Sequence, residues 1–134
     1  MLTYHYQWVI YRPDVFSGEF VIMGFVCWFP KQGVLKHYIT PSVQRATQFF
    51  LNSPTYATET LRTGLKNLDQ ALHDLAAAPI ANNASLTELM QRVLPDNENA
   101  LQLSSVKQAL CVDQQAAYQR LIKHIEQYSK QPTF

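Results

Sequence analysis

The chain is poor in glycine, cysteine and charge, and each shortage removes a class of function. Four glycines in 134 residues, widely separated, leave no glycine-rich loop to cradle a phosphate. The two cysteines, Cys27 and Cys111, lie far apart and read as buried free thiols rather than a bridge. With His5, His37, His73 and His124 they show no zinc-ligand spacing, so no metal and no cofactor is expected. Charged residues make up 16% of the chain and the net charge is +1, too weak a field to recruit nucleic acid or an anionic membrane. The longest apolar run, Val21 to Phe29, is nine residues, against the roughly 20 of a spanning helix. No membrane span is expected. The opening Met1-Leu2-Thr3-Tyr4-His5 has neither the basic nor the apolar segment of a secretory signal, so the expected location is cytoplasmic.

What the chain does have is an aromatic N-terminal part. All aromatic residues except Tyr56, Tyr118, Tyr128 and Phe134 fall within the first fifty positions. Residues 3 to 12 and 19 to 29 carry the aromatic and β-branched side chains that suit a pleated surface, and read as two antiparallel strands. Between them Pro13, Asp14, Gly18, Glu19 and Phe20 form a turn-rich break; the proline ends the first strand and the glycine supplies a backbone conformation that other residues resist. Pro30 to Gly33 makes a second reversal and residues 34 to 39 return as a third strand, completing a meander.

Helical signals fill the rest. Thr40 as N-cap and Pro41 at the first position predict a helix from 41 to about 51. Leu61, Leu65, Leu68, Leu72 and Leu75 recur at helical spacing and form one stripe, which packs on the sheet. Ser85 and Glu88 match a capping box for a short third helix. Residues 100 to 104 alternate as a late strand, and Asp113 caps a last helix striped by Tyr118, Leu121, Ile122, Ile125 and Tyr128. This segregation of elements predicts a single α+β domain over 1–134: a meander of β-strands in 1–40, then a mainly helical part in 41–134 with one late strand. The sheet would have three or four antiparallel strands with four helices packed on it.

The Pro13-Asp14 pair, Gly18-Glu19-Phe20 and Gly24 resemble the N-terminal strands of a bacterial family, the domain-of-unknown-function family 3037. The segment 86–89, the strand at 101–104 and the helix from Asp113 fall in the order that resemblance implies. Members commonly carry asparagine where this chain has Ile22. The resemblance implies no reaction. It implies a partner, since some members neighbour kinases similar to the HipA type.

Strict alternation puts Tyr4, Tyr6, Trp8 and Ile10 on one face of the first strand, and splits the second into Phe20, Ile22, Val26 and Trp28 against Val21, Met23, Phe25, Cys27 and Phe29. Both faces of the second strand are apolar, so the leucine helix covers one and either the remaining helices or another chain covers the other. Tyr4, Tyr6, Trp8 and Trp28 are the candidate interaction anchors. The first reading of function is therefore a non-enzymatic protein-interaction or regulatory module whose partner is another protein or a second copy. Asp14 and Glu19, if they converge, offer a small hydrolase or nuclease-like accessory activity; if they cap the turn and pair with Arg12, they are structural. A third reading stacks single-stranded nucleic acid on the aromatic sheet, against the low net charge. His5 and His37 could meet across the sheet.

Overall fold

The computed structural model describes residues 1–13, 18–50, 57–81, 83–94 and 100–130, except for the side chains of 128–130. The fold is α+β: an antiparallel sheet with β1 (Leu2–Tyr11), β2 (Val21–Phe29), β3 (Val34–Ile39), β4 (Leu101–Leu103) and β5 (Lys107–Cys111), and helices α1 (Gln44–Phe50), α2 (Thr58–Ala77), α3 (Leu86–Gln91) and α4 (Gln114–Lys130). The first three strands form the expected meander, in the order β3-β2-β1. The late strand is two strands, not one. Both β4 and β5 pair antiparallel with β1, β4 along Val9–Tyr11 and β5 along Leu2–Tyr6. They lie end to end on the same flank of β1, so the sheet has five strands in four positions. Their registers differ by one residue, so Ser104–Val106 carries one residue more than the stretch of β1 it faces. At this bulge the Trp8 amide donates to Ser104 Oγ at 2.8 Å, and the Ser104 amide donates back to the Trp8 carbonyl at 2.9 Å.

A second bulge corrects the expected facing of β2. The β1–β2 register shifts between Val9 and Ile10, leaving Met23 as the extra residue. Alternation therefore slips at Gly24. Val21 and Met23 share a face with Val26 and Trp28, whereas Ile22 lies with Phe25, Cys27 and Phe29. Gly24 is required there because a Cβ would overlap the Tyr38 carbonyl oxygen of β3, which is backbone and cannot move aside.

Helices cover both faces. The first takes α1, α2 and α3, with Leu61, Leu65, Leu68 and Leu72 buried against Val9, Val21, Met23 and Trp28, while Leu75 is only partly buried. The second takes α4, whose Ala117, Leu121 and Ile125 pack on Tyr4, Trp8, Phe25 and Phe29. Of the two expected covers for this second face, a helix of the same chain supplies it. Two of the three expected caps hold: Ser85 Oγ accepts from the Glu88 amide at 3.1 Å, and Asp113 Oδ1 accepts from the Ala116 amide at 2.7 Å. Helix α1 starts later than expected. Thr40 donates to the Ser42 carbonyl instead of capping, and Ser42 Oγ takes the Gln44 amide, so the chain turns once more before the helix begins. Arg45 then reaches across the end of the sheet, donating to the carbonyls of Ile22 at 2.6 Å and Ile125 at 3.0 Å, which ties α1, β2 and α4 together.

Candidate functional site

The candidate anchors split unevenly. Tyr4 and Trp28 are fully enclosed, Trp8 is buried beneath α4, and only Tyr6 is half-buried. Trp28 donates its indole N–H to the Ala84 carbonyl at 2.9 Å, which makes it a core strut on the α2 face. Trp8 stacks on His124 of α4 with ring centroids 4.7 Å apart. The expectation of an exposed aromatic platform is corrected: these rings are the mortar between sheet and helices, and the bulges and α4 put them there.

The turn between β1 and β2 is only partly in view. Asp14 lies outside the described residues. Pro13 follows β1, Gly18 has φ +74°, the left-handed conformation expected of it, Glu19 is exposed, and Phe20 receives the Arg12 guanidinium over its ring at 5.5 Å. His5 and His37 do not meet, a second correction. β2 runs between their strands, and His37 Nε2 instead lies 3.0 Å from Asp69 Oδ1 of α2. Both thiols are free and buried. Burial pushes Cys27 up to about 12, and Cys111 also upward, by burial first and then by Asp113, so neither forms a ready thiolate. Among the described residues no group of His, Cys, Asp and Glu is placed to hold a metal ion. No helix of the described residues is long and apolar enough to cross a membrane.

A surface the strand pattern did not announce stands out at the opposite corner. Among the described residues, the large apolar side chains left exposed are Met1 (86%), Val106 (40%), Leu110 (54%) and Val112 (73%). Leu110 pairs with Thr3, Val112 and Met1 lie just beyond that end of the pairing, and Val106 precedes the strand at its other end; within β5, Gln108 and Leu110 share one face while Ala109 and Cys111 turn into the α4 core. β5 pairs only with β1, so its outer edge is open among the described residues. The period-two pattern Val106-x-Gln108-x-Leu110-x-Val112 was present in the sequence, but Lys107, Gln108 and Ala109 are weak strand formers.

The opposite edge, β3, is guarded. Tyr118 of α4 donates its hydroxyl to the His37 carbonyl at 3.4 Å, and Asp69 of α2 binds the His37 ring. The strand is six residues long and carries Lys36, a charge of the kind that blunts sheet edges. The β3 edge has a contact to each helical layer at His37, while exposed apolar side chains lie on and around β5; each of the two strands has one strand partner among the described residues.

A five-strand antiparallel sheet between a three-helix layer and a single helix defines the class, an α+β domain. The chain belongs to a family of proteins of unknown function, DUF3037, whose model matches residues 6–125. No curated protein and no solved structure matches it.

Proposed function

We propose that this chain is a non-enzymatic protein-interaction module and that it interacts by extending its sheet through the outer edge of β5. The observation that carries this reading is the exposure of Leu110 on β5, and of Val106, Val112 and Met1 around its two ends, on a strand whose one strand partner among the described residues is β1. An extended segment adding to such an edge gains main-chain hydrogen bonds, while alternate side chains supply the apolar contact. A second copy of the chain fits first. Antiparallel pairing of two β5 strands about Ala109 sets Lys107 against Cys111 and Gln108 against Leu110 of the second copy, so no like charges meet. Such a contact is self-complementary, as a twofold interface requires. The net charge of +1 gives little repulsion to oppose it.

Sedimentation velocity over a range of protein concentrations tests the reading, with the wild type beside Leu110→Lys. The wild type is expected to dimerise in the micromolar range and the variant to stay monomeric with an unchanged circular dichroism spectrum. A wild type that stays monomeric at all concentrations, or a variant that dimerises as well as the wild type, removes β5 as the docking edge.

A further inference from the structure

On the α4 face, between the two bulges of the sheet, lies a groove of about 450 Å³, within the roughly 300–1,000 Å³ usual for small-molecule sites. Its floor is apolar: Trp8 and Ile10 of β1 and Ile22 of β2. Its charged lining is of one sign, with Arg12 and Lys107 contributed by two separate parts of the chain beside the imidazole of His124, and no carboxylate among the described lining residues. The net charge of the whole chain hides this local concentration.

The cations are not bunched. Lys107 pairs with Tyr6, six residues before Arg12 along β1, which at about 3.3 Å per residue separates their backbones by ~20 Å before the side chains lean inward. His124 sits with the Trp8 ring between them. The groove therefore has a guanidinium at one end, an ammonium at the other and hydrocarbon in the middle. Arg12 Nε is buried and has no hydrogen-bond partner among the described residues. The rest of the side chain lines the groove, where its guanidinium can meet an acidic group. Burial, and then the charge of Lys107, hold His124 below its ordinary value. Trp8 already spends one ring face on His124 and presents Phe25 with a perpendicular contact, so the groove is not a platform for a nucleobase.

We infer that this groove binds an elongated organic anion, an apolar body lying along Ile10, Ile22 and Trp8 with one acidic group on Arg12 and a second drawn toward Lys107. The chemical class is a medium-chain molecule carrying carboxylate groups at both ends. The groove shares Lys107 with β5, but it lies on the α4 face of the sheet, opposite the face that carries Leu110.

The two tryptophans provide the test, because Trp8 lines the groove and Trp28 is buried on the far face. Titrating ¹⁵N-labelled protein with azelate, with octanoate and with inorganic phosphate reads each indole N–H separately. Azelate is expected to move the Trp8 signal and leave Trp28 in place, octanoate to bind more weakly, and phosphate to do neither. Arg12→Gln and Lys107→Gln should each weaken azelate by roughly tenfold, and Lys107 is exposed, so its variant folds whatever becomes of the other. No Trp8 response to azelate at millimolar concentration overturns the inference. So does phosphate acting as well as azelate, or a Lys107→Gln protein that binds azelate like the wild type.

Discussion

The two edges of this sheet are built from opposite materials. At the β3 edge, His37 is held by Asp69 from one helical layer and by Tyr118 from the other, and the neighbouring strand is clamped to it at Gly24. At the β5 edge a short strand of weak strand formers lies along β1 with Leu110 exposed. The difference is one of exposure: most aromatic side chains of β1 and β2 are packed between sheet and helices, whereas the large apolar side chains left exposed among the described residues lie on and around β5.

Breaking the closed side carries the largest effect. Gly24→Ala places a methyl group against the Tyr38 carbonyl oxygen, and because a backbone atom cannot yield, the expected loss is on the order of 3 kcal/mol or more. Denaturant unfolding reads it directly, and a loss below about 1 kcal/mol would mean that β2 and β3 are not seamed as described. Next comes the junction of β4 and β5. Ser104→Ala leaves the Trp8 amide without its hydroxyl acceptor, at an expected cost of about 1–3 kcal/mol. The same substitution should loosen β5 more than β3 in hydrogen exchange, since it lies at the junction that sets the β5 register. The smallest effect sharpens the comparison. Tyr118→Phe removes a long hydroxyl contact to His37, worth about 0.5–1 kcal/mol, and should make the β3 edge exchange faster.

Much of this architecture was legible because its signals are local. The leucines of α2, the Ser85 cap and the Asp113 cap act within a turn or two of themselves, and the structure keeps all three. The facing of β2 was not legible, because the Met23 bulge shows only against β1, and a single extra residue exchanges the faces of everything beyond it. β5 was hidden for a related reason. Lys107, Gln108 and Ala109 gain their strand conformation from pairing with residues about a hundred positions earlier, a contact no local propensity records. The burial of Trp8 and Tyr4 depended on α4 folding back over the sheet, and the sequence placed the apolar stripe of α4 without saying which face it would cover. The open edge could be seen only after these non-local contacts were known.

The central claim is the proposal that the chain self-associates through β5 and not through β3, and residue-resolved hydrogen–deuterium exchange at low and high protein concentration tests it most directly. The account predicts that amides of 107–111 gain protection as concentration rises while those of 34–39 keep the same protection throughout. Equal, concentration-independent protection of both edges would contradict it.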